Sequence, residues 1–233
     1  MAGIPYRSAL IVGAGAGLSA SLARLFAKEG MQVALAARSP AKLAEFAKAT
    51  GAGTFNCDVA RRDEVEKLFA DLEASRGAPD VVVYNPSYRV RGPLVELDAA
   101  EVEKALAITA FGGFLVAQAA VRRMLPNGQG AILFTGASAS VKGYAQSAPF
   151  AMGKFALRGL AQSMARELQP QGIHVAHVVV DGGIKSARRP EPPDKSDSLL
   201  DPDAIAENYL HLLRQPRSAW SWEIEVRPWV EKF

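Results

Sequence analysis

The sequence predicts an α/β fold with one doubly wound parallel sheet and helices on both faces. Short β-branched runs alternate with alanine-rich stretches along most of the 233 residues, which is typical of βαβ units that close a parallel sheet. The first predicted strand leads directly into a glycine-rich turn and a helix. Because a chain of this length can bury one sizeable core, we expect a single domain over residues 1–233.

Six β-branched runs are predicted to form strands. They span residues 8–12, 32–36, 53–57, 80–84, 131–135 and 174–180. The segments between and after them predict helices at about residues 18–29, 40–50, 61–76, 99–124, 149–168 and 202–213. Ser39 and Asp201 each precede a proline and suit the N-cap position of the helix that follows. Alternation of Trp222, Ile224 and Val226 predicts a final strand with one buried face.

Composition excludes several classes of partner. The net charge is +3 and no long run of Lys or Arg occurs, so we expect no nucleic-acid partner. Cys57 is the only cysteine and the first residues lack a charged leader, which favours a cytoplasmic protein. The uncharged stretch 105–121 is slightly short for a bilayer span, and we interpret it as a buried helix rather than a membrane segment. His174 and His177 should face opposite sides of a strand, so no metal site is expected.

The turn after the first strand has the composition of a phosphate-binding loop. Its residues are Gly13, Ala14, Gly15, Ala16, Gly17, Leu18 and Ser19. Glycines let the backbone approach a pyrophosphate, and the start of the next helix offers free N–H groups. The alternative is a tight strand-to-helix turn without a ligand.

The end of the second strand indicates which dinucleotide would bind. An acidic residue there, about 20 residues on, would accept a hydrogen bond from the ribose 2′-hydroxyl of NAD. The sequence has Ala36, Ala37 and Arg38 instead. Arg38 could hold a 2′-phosphate, which favours NADP(H). Alternatively, Arg38 covers the helix that follows.

Motifs along nearly the whole chain resemble the short-chain dehydrogenase/reductase family, which has a Rossmann-like fold. They are the glycine turn, Asp58-Val59, Asn85-Pro86-Ser87, the segment from Phe150 to Lys154, and the loop from Asp181 to Ser186. The resemblance implies that these motifs contact the adenine, lie along the cofactor and hold the nicotinamide. The predicted cofactor-binding residues are Gly13, Gly15, Ala16, Gly17, Leu18, Arg38, Asp58, Val59, Asn85, Pro86, Ser87, Lys154, Asp181, Gly182, Ile184 and Ser186.

The catalytic residues that the resemblance implies are an asparagine, a serine, a tyrosine and a lysine. Only Lys154 matches. Phe150 stands at the tyrosine, and an ungapped alignment places Ala137 at the serine and Thr109 at the asparagine. A phenyl ring has no proton to donate, and loss of a general acid typically costs about 10²–10⁴ in rate. The sequence therefore predicts an incomplete tetrad on an intact cofactor frame.

Other residues could replace the missing groups. Ser138 is next to the lost serine, and Tyr144 precedes Lys154 in a predicted loop. Tyr144 could fold over the nicotinamide, or it could be an ordinary surface tyrosine. Asp181 is a further candidate acid, although an Asp before two glycines is usual in turns.

The predicted loops at the carboxyl edge of the sheet are basic. They contain Arg89, Arg91, Lys142, Lys185, Arg188 and Arg189. These charges favour an anionic small-molecule substrate, or they are simply solvated. The polar, proline-rich segment 187–200 is interpreted either as a substrate-side loop or as a surface connection.

Two functions follow from these motifs. One is an NADP(H)-dependent oxidoreductase with a non-standard proton donor, or with a substrate that needs little acid help, such as a conjugated C=C bond. The other is a non-catalytic NADP(H)-binding sensor or assembly protein. Apolar residues in 105–121 and 149–168 exceed what one sheet face should cover, so we expect a homodimer or homotetramer.

Overall fold

A computed structural model describes residues 5–231, and within this range seven strands form one parallel sheet in the order β3-β2-β1-β4-β5-β6-β7. The strands are β1 (Ser8–Val12), β2 (Gln32–Ala37), β3 (Gly53–Asn56), β4 (Val81–Tyr84), β5 (Gly130–Thr135), β6 (Ile173–Val180) and β7 (Glu223–Val226). The helices are α1 (Leu18–Lys28), α2 (Ala44–Thr50), α3 (Arg62–Arg76), α4 (Ala99–Leu106), α5 (Gly112–Met124), α6 (Ala148–Leu168) and α7 (Pro202–Arg214). The predicted fold class is confirmed.

The central strands are apolar on both faces because helices cover both. β4, β5 and β6 are buried along their whole length, as is typical of parallel strands between two helical layers. The chain builds outward from β1 through β2 to β3 and then crosses to β4 on the other side of β1. This reversal opens a crevice at the carboxyl ends of β1 and β4, where ligands bind in such folds.

The sequence predicted one helix over residues 99–124, and this prediction is wrong because the stretch is not one regular α-helix. A π-helical turn, Ala107–Phe111, separates α4 from α5. The buried Tyr84 hydroxyl donates a hydrogen bond to the carbonyl of Ile108 within this turn. Inserted π turns occur frequently at functional sites, and this one contains Thr109.

One of the two predicted N-caps is wrong. Asp201 caps α7, since its carboxylate accepts a hydrogen bond from the backbone N–H of Asp203 at 2.8 Å. Ser39 makes no such side-chain bond, because the chain enters a 3₁₀ turn, Pro40–Leu43, before α2 begins. In that tight turn the Ser39 carbonyl accepts from the N–H of Lys42 instead.

Within residues 5–231, one helical stretch is long and apolar enough to span a membrane by length and composition. It is Ala99–Asn127, and 56% of its most apolar window is buried inside the fold. A core helix that packs against a sheet passes the same test, so this stretch is weak support for a membrane span.

The final strand forms, but the predicted common face of Trp222, Ile224 and Val226 is wrong for Trp222. Ile224 and Val226 pack on the core beneath α1 and α7. Trp222 lies just before β7 and packs on the opposite core cluster, where the Arg158 guanidinium carbon lies 5.5 Å from the centre of its ring. Trp220 stacks on His174 with 4.6 Å between ring centres.

Candidate functional site

The glycine turn presents its backbone to the crevice. Gly13 has φ +76°, and a Cβ at this position would lie 2.6 Å from the backbone nitrogen of Pro86, so only glycine fits without strain. At Gly15 and Gly17 a Cβ would meet no heavy atom within 4 Å. These two positions therefore leave open space beside the start of α1, as a phosphate ligand requires.

Ser19 ties this turn to the neighbouring strand. Its hydroxyl donates to the Gly13 carbonyl at 3.3 Å and accepts from the side-chain amide of Asn85 at 2.8 Å. Asn85 also donates its backbone N–H to the Val12 carbonyl at 3.0 Å. Ser19 thus joins the ends of β1 and β4.

A cavity of about 740 Å³ runs from this turn across the ends of β2 and β3. It is lined by Gly13, Ala14, Gly15, Ala16, Gly17, Ala37, Arg38, Ser39, Lys42, Leu43, Cys57, Asp58, Val59, Asn85, Pro86, Ser87, Ile108, Ser186, Ala187 and Arg188. The side chains of Arg38 and Lys42 place positive charge at the β2 end. Leu18 is buried in the core, so only its backbone is suited to bind a ligand.

A second cavity of about 430 Å³ adjoins the first at Asn85, Ser87, Ser186 and Arg188. Its other lining residues are Thr135, Gly136, Ala137, Phe150, Lys154, Val180, Gly182, Ile184 and Arg189. The two cavities together extend from Arg38 and Lys42, at the end of β2, to Lys154. Residues at the ends of six strands, β1 to β6, therefore meet along one edge of the sheet.

Lys154 is the buried cation of the second cavity. Its side chain is on α6, the residue is 3% exposed, and Nζ donates to the Thr135 carbonyl at 2.6 Å. Burial lowers the pKa of the ammonium group to about 8. At neutral pH most molecules therefore keep the proton on Nζ, although it is less costly to remove than from an exposed lysine.

Phe150 lies one helical turn before Lys154, and two cations flank its ring. The Arg89 guanidinium carbon lies 4.8 Å from the ring centre, and Lys154 Nζ lies 6.0 Å from it. Such distances are within the range of cation–π contacts. The ring supplies no ionisable group to the cavity.

The remaining predicted catalytic residues lie at different distances from this cavity. Ala137 lines it. Thr109 is buried, accepts a hydrogen bond from the N–H of Tyr88 at 3.3 Å, and packs against Gly153. Ser138 begins a 3₁₀ turn, and Tyr144 is 47% exposed. Neither Ser138 nor Tyr144 lines either of the two cavities.

Asp181 is buried rather than exposed to the cavities. Its carboxylate lies 3.3 Å from Lys142 Nζ and 3.7 Å from the Arg227 guanidinium. Gly182, Ile184 and Ser186, which follow it, do line the second cavity. The role of Asp181 beside the nicotinamide therefore stays a prediction, as do the roles of Ser138 and Tyr144.

No pattern in the sequence indicated the partly buried ionic group that lies behind the second cavity. Glu223 accepts two hydrogen bonds from Arg158, at 2.6 and 2.7 Å, and lies 3.0 Å from Nδ1 of His177. His177 in turn packs against Gly136, where a Cβ would lie 2.4 Å from the imidazole. Only the pairing of β6 with β7, in register at His177 and Glu223, brings these groups together.

Two basic residues that line the first cavity were not among the predicted cofactor-binding residues. Lys42 lies four residues after Arg38, and Arg188 lines both cavities. The positive charge of Lys42, so close to Arg38 in the sequence, was the signal that could have identified it. In the part of the chain that the structure describes, no group of three or more His, Cys, Asp or Glu side chains could hold a metal ion.

Comparisons with known proteins agree with this geometry. The profile of a family described as short chain dehydrogenase matches residues 7–195. A short-chain dehydrogenase from Rhodopseudomonas palustris is 35% identical, with a TM-score of 0.82, over 96% of this chain and 99% of its own. A metagenomic short-chain oxidoreductase solved with NADP is 26% identical, with a TM-score of 0.84, over 95% of this chain and 97% of its own.

A sequence relative points the same way. An uncharacterised oxidoreductase of Staphylococcus aureus is 27% identical over 226 residues, which cover 94% of this chain and 96% of the relative. The family profile covers most of the chain and includes every residue that lines either cavity. The protein therefore belongs to the short-chain dehydrogenase family.

Proposed function

We propose that the protein is an NADP(H)-dependent oxidoreductase that reduces a carbonyl group or a conjugated C=C bond with a non-standard proton source. The observation that carries the proposal is the pair of adjoining cavities, which joins the glycine turn and Arg38 to Lys154. A structural neighbour was solved with NADP. The substrate-side position of segment 187–200 is supported by Arg188 and Arg189, which line the second cavity.

The residues present fit a nicotinamide dinucleotide. The open space at Gly15 and Gly17 suits the pyrophosphate, and Arg38 with Lys42 suits a 2′-phosphate at the end of β2. Lys154 is suited to the nicotinamide ribose. When bound, the reduced cofactor supplies a hydride, and the substrate must then gain one proton.

The chain's own residues decide where that proton comes from. Phe150 and Ala137 cannot donate one, so the family tetrad is reduced to Lys154. Lys154 holds a proton on a nitrogen whose pKa burial lowers to about 8, which suits proton transfer near neutral pH. Tyr144 and Ser138 remain alternative donors if the surrounding loop moves on binding.

A non-catalytic NADP(H)-binding protein is the second candidate. The observation that favours it is the phenyl ring between Arg89 and Lys154, because an apolar group stands where the family's acid should be. The two candidates share cofactor binding and differ in turnover. NADPH binding without oxidation on a broad panel of ketones and enones would favour the second.

Arg38→Ala should remove the preference for NADPH. We expect the parent to bind NADPH at least about tenfold more tightly than NADH, or roughly 1.4 kcal/mol, because a guanidinium can hold the 2′-phosphate. Fluorescence titration with both cofactors measures the ratio. Arg166→Ala, in the last turn of α6, is the matched control. Equal affinities in the parent would overturn the assignment to NADP(H).

We also propose a symmetric dimer or tetramer built on α5 and α6. Exposed apolar side chains lie on these helices and on the turn before α5, with Phe111 47%, Phe114 38%, Met152 49% and Phe155 45% exposed. Light scattering at micromolar concentration should give a dimer or larger, and Phe155→Glu should shift it toward monomer because a buried charge is costly. Val95→Glu, at a residue 93% exposed elsewhere, is the control. A monomeric parent would contradict the proposal.

A further inference from the structure

We propose that the second cavity binds a substrate with a carboxylate close to its reducible group, and that Arg89 and Arg189 bind this carboxylate. The proposal rests on the proposed function for the reducible group, but the carboxylate site itself does not depend on it. Phe150 and Arg189 both line this cavity. Arg89 lies at its border, because its exposed side chain contacts the ring of Phe150. The residue at the family's acid position would thus serve as a support for a cation.

The segment that carries Arg89 is fixed on both sides. The N–H of Tyr88 donates to Thr109 Oγ1 at 3.3 Å, and the Tyr88 hydroxyl donates to Glu101 at 2.5 Å. Beyond Arg89, the N–H of Gly92 donates to the Gln146 carbonyl at 3.1 Å. Arg89 therefore approaches Phe150 from a held backbone, which limits the entropy lost when a ligand binds.

Arg189 approaches from the opposite loop. Its backbone N–H donates to the Ser186 carbonyl at 3.0 Å, and the Ser186 N–H donates back to the Arg189 carbonyl at 3.0 Å. Its side chain lies against Gly183, where a Cβ would be 2.8 Å from the guanidinium. Absence of a side chain at Gly183 therefore makes room for this cation beside the loop that follows β6.

The positive charges of Arg89 and Arg189 act on each other, and no acidic side chain among the described residues offsets them. Burial, and then the charges of Arg91 and Arg189, lower the pKa of the Arg89 guanidinium. Among the ion pairs within residues 5–231, none includes Arg89, Arg91 or Arg189. Clustered guanidinium groups repel one another, and an anion between them would relieve that repulsion.

The chemistry of the cavity favours a carboxylate on a small oxo acid or unsaturated acid. A guanidinium over a ring keeps N–H donors free at its edge, and these match the two oxygens of a carboxylate. Arg89 and Lys154 flank the same ring, so the carboxylate and the reducible group must lie a few bonds apart. Arg188 borders the cofactor cavity as well, which leaves Arg89 and Arg189 for the substrate.

Calorimetric titration of the full chain with benzoylformate and with its uncharged methyl ester tests the proposal, with and without NADP⁺. We expect the acid to bind at least about tenfold more tightly than the ester, with a preference that weakens as salt rises. Arg89→Gln should abolish the preference and leave NADPH affinity unchanged, and Arg89→Lys should keep part of it. Arg122→Gln is the control, since the end of α5 leads to the opposite edge of the sheet.

The outcomes separate the two proposals. Equal binding of acid and ester, no binding of either, or a preference that survives Arg89→Gln would overturn the carboxylate site. Tighter binding of phenyl phosphate than of benzoylformate would also overturn it and assign a phosphorylated substrate. An intact acid preference in a chain that binds no NADPH would support the carboxylate site and refute the oxidoreductase.

Discussion

The double variant Phe150→Tyr, Ala137→Ser is expected to reduce simple activated ketones or diketones with NADPH about 10²-fold or more faster than the parent. Both residues line the cavity that contains Lys154. A tyrosine hydroxyl there would lie near the cations of Lys154 and Arg89, which favour its ionised form and so lower its pKa. The serine hydroxyl would orient the carbonyl that receives the proton. NADPH oxidation followed by absorbance measures the rate.

The two substitutions should be cooperative, because one donates the proton and the other aligns its acceptor. The rate gains of the two single variants, multiplied together, should therefore be smaller than the rate gain of the double variant. Phe46→Tyr on α2 adds a phenol away from the cavity and is the matched control. If the parent already reduces such ketones at ordinary rates, another residue supplies the proton, and Tyr144→Phe is the next variant. A double variant that binds NADPH but stays inactive would favour the non-catalytic function.

Stability should fall steeply between about pH 6.5 and pH 4, because two histidines are buried in their neutral form. Burial lowers the pKa of His177 to about 4, despite the nearby Glu223, and burial also lowers the pKa of His174. The unfolded chain takes up protons near pH 6.5, whereas the native state does not. Stability therefore decreases as pH falls through this window, by about 3 kcal/mol for His177 alone.

Urea denaturation between pH 5 and pH 7.5 measures this slope. His177→Gln should flatten it, and His211→Gln, at an exposed residue of α7, should leave it unchanged. Lys154 and Arg158 add positive charge near His177 and so reinforce its neutral form. Burial opposes the ionisation of Glu223, but Arg158 and His177 outweigh burial and lower its pKa. The ionised Glu223 therefore also stabilises the fold, and this stabilisation is lost as the pH falls below the usual range of a glutamate. A stability profile without slope from pH 7 to pH 5 would contradict the prediction.

The sequence by itself determined the fold class and most element positions. β-branched runs predicted six strands to within one residue at every end, because central parallel strands are apolar throughout. The glycine turn and Asp201 were also predictable, since a positive φ and a helix cap are local requirements. Arg38 and Lys154, which the motifs singled out, each line one of the two cavities.

Only the tertiary structure decided the details of the site. The π turn at Thr109 accepts a hydrogen bond from a hydroxyl of β4, and the bond between Ser19 and Asn85 joins two strand ends. The position of Arg89 on Phe150 likewise joins residues far apart in the chain. Such contacts depend on distances between separate elements, whereas periodicity and local propensity report only on neighbours along the chain, so no pattern in the sequence could specify them.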